Sequence, residues 1–489
     1  MPRISALCLS DMHFGSEASL LTEVDPQTPR PDLERTSPVL ASLAECLRTV
    51  LSWNEGPQRP RLVLAGDVLE LALAKDNVAA TVFARFARLL FDGRGLPVDP
   101  SIIYVPGNHD HHLWETARES QYAAYLEEPG VALPLLNEPW HCTHLFPWTP
   151  EQNVANRDVE NRLLTTLLRW CDPPTGARVV TMYPNFGIMS ADGEASCTVV
   201  HHGHFAESIY YLMTDLAMAA FPGRAREPYH IWDIEIENYA WIDFLWGTLG
   251  RSGSIGETFG LVYNMLKSPK AKKRLMKDLT DAITARASRG PATRWMTRIV
   301  VASALGRLLG SVGELERRVA DWPLSDDSWT RLDQYLGRYV RGQLERECPG
   351  GAPPGLAFVF GHTHKPFESE RRVPGLGAPV RLYNMGGWVV ESSAPAPRRG
   401  AAVVVIDEAG HAASIRLYNE TPDHAPCPVR VASAEDEAAP NPLRDELRRL
   451  IDADRAPWRD FSETTAEALS QRHAYMETVI NSSMEYVRP

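Results

Sequence analysis

The stretch Ser101-Ile102-Ile103-Tyr104-Val105-Pro106-Gly107-Asn108-His109-Asp110 decides how the chain is read. Ile102 to Val105 is a run of β-branched and aromatic residues, the composition of a short buried strand. Pro106-Gly107 stops it. An amide, an imidazole and a carboxylate follow at once. Open α/β sheets build their sites at the carboxyl ends of strands, so this order of residues predicts a site here. Four other segments repeat the design. Leu7–Ser10 leads into Asp11-Met12-His13, and Arg61–Ala65 into Gly66-Asp67-Val68-Leu69-Glu70. Thr198–Val200 leads into His201-His202-Gly203-His204, and Leu356–Phe360 into Gly361-His362-Thr363-His364. Five strand ends carrying His, Asp or Asn predict one shared site.

Outward from these ends, Arg3 to Pro106 reads as strand, helix, strand, helix, strand, with helices near Pro38–Trp53 and Asn77–Phe91. This βαβ beginning predicts a layered α/β core. The loop Gly15–Ser37 is rich in Pro, Asp and Glu, and is expected to overhang the site. His111–Glu128 and Val154–Trp170 read as helices, Arg178–Phe186 and Ser196–His201 as strands. His141, Cys142 and His144 lie among prolines and tryptophans, which reads as a packed loop ahead of a second metal site. Arg381–Met385, Ala401–Ile406 and Ala412–Leu417 read as closing strands. From Thr421 the composition is that of a linker. Tail helices follow at Asn441–Ala453 and Glu463–Val487, which either dock on the core or serve oligomerisation. The expected organisation is a core in two parts, 1–204 and 355–420, a helical insertion at 205–354, and a linker and tail at 421–489.

The chain has 489 residues, of which 44% are hydrophobic, enough for a substantial core and against global disorder. A net charge of −12 disfavours a dedicated nucleic-acid binder. Met1-Pro2-Arg3 runs straight into a strand, and no apolar run approaches the ~20 residues of a membrane span. The seven cysteines are scattered, without a C-x-x-C pair, and read as reduced thiols. A cytoplasmic location is expected, with a peripheral place at a membrane as the alternative.

Two features mark the insertion. Ile231–Trp246 is dense in aromatics and reads first as a helix buried on all sides, second as an apolar groove. Arg251–Gly310 holds twelve Lys/Arg against three acids. Such a run is usually a solvated face; a contact for polyanions or anionic lipid heads is the alternative.

Asp, His and Asn without Cys make a mixed nitrogen and oxygen ligand set. It suits manganese, iron, zinc, cobalt or magnesium better than soft metals. The candidates are Asp11, His13, Asp67, Asn108, His202, His362 and His364. Seven ligands exceed one tetrahedral ion and suit two divalent ions sharing a carboxylate. Two such ions clamp a phosphoryl oxygen and activate water, so no protein nucleophile is needed. His109, beside Asn108, is free to protonate the leaving oxygen. Neighbours on a strand face opposite ways, so only one of His201 and His202 is a ligand.

Asp11-x-His13, Gly66-Asp67-x-x-Glu70, Gly107-Asn108-His109-Asp110, His202-Gly203-His204 and Gly361-His362-Thr363-His364 occur in the order found in the calcineurin-like metallophosphoesterases, which the chain resembles. The resemblance covers residues 3–110, 197–205 and 356–390. It implies an αββα sandwich of two sheets flanked by helices, here with a large helical cap insertion. It implies one metal on Asp11, His13, Asp67 and His364, and a second on Asp67, Asn108, His202 and His362, with Asp67 bridging and manganese the first expectation. It implies that His109 is the general acid or binds phosphate, and that Glu70, where the family often has Asp, orients His109. The place of His before Gly selects His202 over His201.

The helical insertion before Gly361 also resembles the UDP-2,3-diacylglucosamine hydrolase branch. This insertion is longer, and that branch tends to carry Arg where this chain has His109. The expected activity is hydrolysis of a phosphomonoester or phosphodiester by metal-activated water. The alternative is a pyrophosphatase acting on a nucleotide- or lipid-linked diphosphate. A nuclease or an inactive scaffold follows.

Overall fold

Residues of β1 (Ile4–Leu9) alternate between two buried sets: Leu7 and Leu9 pack with helices, Ala6 and Cys8 with a second sheet. This alternation recurs in β2 (Arg61–Ala65) and β3 (Ser101–Val105), where Leu62, Leu64, Ile102 and Tyr104 face helices and Val63, Ala65, Ile103 and Val105 face the sheet. The computed structural model describes residues 1–25, 30–91, 96–127, 142–146, 159–171, 176–191, 193, 196–221, 230–248, a few positions between 273 and 284, 322–348 and 351–485.

The chain is a mixed α/β protein with two mixed sheets. Among the described residues the first has seven strands in the order β12-β11-β10-β1-β2-β3-β4, adding β4 (Arg178–Thr181), β10 (Gly400–Asp407), β11 (Ala412–Asn419) and β12 (Arg430–Ala432). The second has the order β5-β6-β7-β9-β8, from β5 (Asn185–Met189), β6 (Ser196–His201), β7 (Gly355–Phe360), β8 (Phe367–Arg371) and β9 (Val380–Asn384). β1, β2, β3 and β4 run parallel, as do β6, β7 and β9. The five strands with polar ends all belong to these parallel sets. Their carboxyl ends therefore share an edge within each sheet.

Helices α1 (Pro38–Ser52) and α2 (Asp76–Phe91) bury one face each on the first sheet. Ser37 caps α1 by accepting from the Leu40 N–H, with Pro38 at the first turn. α3 (His112–Glu127) follows the β3 loop, and α4 (Arg162–Arg169) precedes β4. The insertion supplies α5 (Leu212–Ala220), α6 (Ile231–Ile242), α7 (Asp326–Gln334) and α8 (Arg341–Glu347). α6, α7 and α8 cover the outer face of the second sheet through Ile234, Leu332 and Leu344. The tail forms α9 (Pro442–Ala453) and α10 (Ala456–Glu485). α10 docks on the core through Trp458, Phe461, Leu469 and Met476. Its buried Arg472 donates to the carbonyls of Glu17 and Thr22, pinning the loop that follows His13.

Three expectations change, and one strand is unexpected. Arg178–Phe186 is two strands in different sheets, because an apolar run buried in both gives no sign of where the chain crosses; only Pro184, which has no N–H to give a ladder, marks it. The expected linker contains β12, which edges the first sheet. β8, rich in charge, is an edge strand of the second sheet and has no apolar signature. The aromatic helix is not buried on all sides: Ile236 is 40% and Phe244 48% exposed. The basic run Arg251–Gly310 lies outside the described residues, apart from the positions between 273 and 284, and so does His141. Among the described residues, no helix is long and apolar enough to cross a membrane, and all seven cysteines are free thiols.

Candidate metal centre

The strand ends deliver their side chains through strained turns. Asp11, His13, Asp67, His362 and His364 all have φ between 44° and 69°, the left-handed region that residues with a Cβ rarely adopt. Each such residue costs on the order of 1–3 kcal/mol and persists only where its surroundings enforce it, most often at functional sites. The enforcing contacts are on hand. Asp110, fully buried, accepts from the backbone N–H groups of Gly107 (2.8 Å), Asp67 (3.2 Å) and Val68 (2.8 Å), clamping the β2 loop to the β3 loop. Burial and the neighbouring Asp67 carboxylate push the Asp110 carboxyl up to about 7, against the pull of those N–H groups. The N–H of His109 bonds Asp67 Oδ1 at 2.8 Å, and that of His362 bonds Asp11 Oδ2 at 2.8 Å.

The result is one cluster. Asp11, His13 and His364 converge, as do Asp67, His202 and His362, with ligand atoms inside 4.8 Å in each group; all six are buried. Asp67 Oδ2 stands 3.4 Å from His13 Nε2 and 3.6 Å from His202 Nε2, so one carboxylate oxygen faces both halves. Asn108 Oδ1 joins the second half, 3.0 Å from His202 Nε2. His362 turns Nδ1 inward, 3.2 Å from the same nitrogen.

Each of the four histidines has its outer nitrogen against an acceptor. His13 Nδ1 meets Glu70 Oε2 at 2.9 Å, and His202 Nδ1 meets the Ala65 carbonyl at 3.1 Å. His362 Nε2 lies 3.2 Å from Glu207 Oε1, and His364 Nδ1 lies 3.1 Å from Glu391 Oε1, itself near Arg399. On His13 and His202, whose outer nitrogens are hydrogen-bonded, a proton held outward leaves the inner lone pair for a cation, the usual arrangement around metal-binding histidines. Burial pushes His202 down to about 3 and His13 below its ordinary value, so both rings are neutral near pH 7, as ligation requires. Burial pushes the Asp11 carboxyl up, but the facing His364 and His202 rings together outweigh it and hold Asp11 below the ordinary carboxylate range.

The donor set could hold metal ions. Asp11 Oδ1 and His364 Nε2 face each other at 3.2 Å, and neither they nor His13 Nε2 has a hydrogen-bond partner among the described residues. Two ligands each ~2.0–2.2 Å from one cation stand roughly 3 Å apart, so this spacing of acceptor atoms suits an ion between them.

Glu70 serves two rings: Oε2 contacts His13, and Oε1 contacts His109 Nδ1 at 2.9 Å. Burial pushes its carboxyl up, but His109 and His13 together hold it well below the ordinary range. Trp246, from the π-helical turn Asp243–Thr248 after α6, stacks on His109.

His201 faces away from the cluster. The Gly203 N–H donates to its Nδ1 at 2.8 Å, which puts the ring proton on Nε2, toward Tyr335 Oη at 3.1 Å. Glu235 of α6 accepts from Tyr335 (2.9 Å) and Tyr183 (2.7 Å), and Tyr183 meets His111 Nε2 at 2.8 Å. His201, His204 and Glu235 lie close enough to hold an ion. The tautomer forced on His201 makes the group a hydrogen-bonded tie between the insertion and the core instead. His144 meets Glu347 of α8, 3.6 Å away.

Glu207, Glu391, Trp246 and the clamping role of Asp110 are not visible in the sequence reading. Asp110 had a signal, its place inside Gly107-Asn108-His109-Asp110, and Trp246 had the aromatic density of its segment. No family model matches the chain, and no curated protein matches it.

Proposed function

We propose that the chain is a dinuclear metal-dependent phosphoesterase of the calcineurin-like kind, an αββα core with a helical insertion against its site. One observation carries the reading: seven Asp, Asn and His side chains from five strand ends meet in one buried cluster, with Asp67 facing both halves. Asp11, His13, Asp67 and His364 would hold one divalent cation, and Asp67, Asn108, His202 and His362 the other, manganese first. Bound there, the cations supply Lewis-acid polarisation of a phosphoryl oxygen and a more acidic water.

The protein's own groups do the rest. Glu70 accepts at His109 Nδ1, so the Nε2 proton is the one His109 gives to the leaving oxygen. Burial of the cluster excludes bulk water and strengthens each charge interaction within it. The substrate is a phosphomonoester or phosphodiester. The test is metal content of the purified chain together with turnover of phosphomonoesters, phosphodiesters and diphosphates with added Mn²⁺. Two equivalents of metal and hydrolysis of an ester support the reading. A chain that takes up no divalent metal at these residues overturns it.

A further inference from the structure

We infer that Trp246 of the insertion is the positioning residue for His109, so that the insertion completes the proton donor used on phosphoesters with alkoxide leaving groups. The inference rests on the phosphoesterase reading of the same site. The Trp246 and His109 rings are stacked, centroids 4.1 Å apart and planes at 29°. Trp246 is 2% exposed, and its Nε1–H donates to Tyr210 Oη at 3.2 Å. Tyr210 packs edge-on against His362, centroids 5.4 Å apart. Two aromatic residues of the insertion thus touch two histidines of the site, His109 and His362.

The backbone that delivers Trp246 is unusual. α6 gives way to a π-helical turn at Asp243–Thr248, and such turns shift the helical register by a residue and recur at functional sites. α6 is fixed upstream by Glu235, which accepts from Tyr183 and Tyr335. The register that carries Trp246 to His109 is therefore anchored on the core.

Geometry explains why a stacking partner is needed. Glu70 holds His109 at Nδ1, and the main-chain N–H bonds Asp67. The first acts at a ring nitrogen, along its in-plane lone-pair direction; the second fixes only the backbone. A proton passes from Nε2 to a leaving oxygen only when that oxygen lies in the plane of the ring. A flat partner against one face resists the out-of-plane tilt that a hydrogen bond at Nδ1 tolerates. Leaving groups that depart without a proton do not need this alignment.

The experiment compares an alkyl and a nitrophenyl ester of the same phosphoryl group with the Mn²⁺-loaded wild type, Trp246→Ala and Trp246→Phe. Misalignment of a catalytic group costs about 10²-fold, so Trp246→Ala should lose about that factor in kcat on the alkyl ester, with unchanged metal content. It should lose less than about 3-fold on the nitrophenyl ester, whose leaving group makes little demand on general acid catalysis. Trp246→Phe should recover most of the alkyl activity. A second readout needs no turnover. In histidine-labelled, metal-free protein, the His109 ring protons, identified by their loss in His109→Gln, should be shifted upfield by the indole ring current. They should move downfield in Trp246→Ala. Equal losses on both esters, or His109 protons without an upfield shift in the wild type, overturn the inference; the second also decides if Trp246→Ala does not fold. Failure of the wild type to bind metal or cleave either ester overturns the phosphoesterase reading instead, and leaves the ring-current result to judge the stack.

Discussion

His13 and His109 are joined through one carboxylate: Glu70 contacts the Nδ1 of each ring at 2.9 Å, using a different oxygen for each. On the proposed reading His13 holds a cation and His109 protonates the leaving oxygen, so the carboxylate would couple ligation to proton transfer. Glu70→Gln keeps the shape but removes the charge, and one of its two ends must now present N–H to a ring. Loss of such an outer partner typically costs about 10–100-fold in metal affinity or activity. Glu70→Gln should therefore weaken metal binding and slow turnover together. His109→Ala should slow turnover alone, by ~10²–10⁴-fold on esters that need an acid. Calorimetric metal titration of both variants beside their kinetics checks this; equal affinity for wild type and Glu70→Gln would confine Glu70 to His109.

Asp67→Ala is expected to release both ions. Asp67 Oδ2 faces His13 on one side and His202 on the other. Without it, each half is left with mostly neutral rings, and the His109 N–H loses the Oδ1 it bonds at 2.8 Å. Elemental analysis of the purified variant measures the outcome. Two retained equivalents would remove Asp67 from the bridging role.

Acid should destabilise the metal-free fold well above the carboxylate range. Burial pushes His111 down to about 3 and His201 down to about 4. In the unfolded chain both return to about 6.5. Below pH ~6.5 the unfolded chain binds protons that these two rings and His202 refuse in the folded chain, and Asp110, raised to about 7 by burial, offsets only one of the three, so stability falls as pH drops from about 6.5 towards 4. Urea unfolding at a series of pH values should show this slope, and His111→Phe should make it shallower. A flat profile between pH 7 and 5 would contradict the burial of these rings as neutral groups.

The strand ends are legible in the sequence because each places a short apolar run directly before Asp, Asn or His, and parallel pairing then needs no further instruction to bring them to one edge. The outer partners of the rings are not legible. Glu207 and Glu391 come from irregular segments without periodicity, and only tertiary packing brings them to His362 and His364. Trp246 belongs to a segment whose aromatic density is plain. Its destination is not, since a π-helical turn breaks the 3.6-residue register on which any reading of helix faces depends. The crossing between sheets at Met182–Pro184 hides because both flanking strands are buried and apolar. β12 hides inside a Pro- and Ala-rich stretch because three residues at a sheet edge need no hydrophobic pattern.

The last prediction uses glycines as probes of ligand placement. Gly361 precedes His362, and a Cβ added there would lie 2.0 Å from Asp11 Oδ2 and 2.1 Å from Ser10 Oγ. No carbon approaches an oxygen so closely, so one of them must move. Asp11 cannot move cheaply: its backbone is already at φ 52°, its Oδ2 accepts the His362 N–H, and its Oδ1 faces His364 Nε2. Gly361→Ala should therefore displace a ligand and reduce metal content by at least one equivalent, with overpacking costing about 1–3 kcal/mol of stability. Gly377 is the matched control, exposed and with nothing within 4 Å of an added Cβ, so Gly377→Ala should retain both metal and stability. Metal content and thermal unfolding of the two variants, prepared side by side, give the answer. Full metal content in Gly361→Ala would mean that the loop carrying His362 and His364 yields around a methyl group, and that Asp11 is not held as closely as this contact requires.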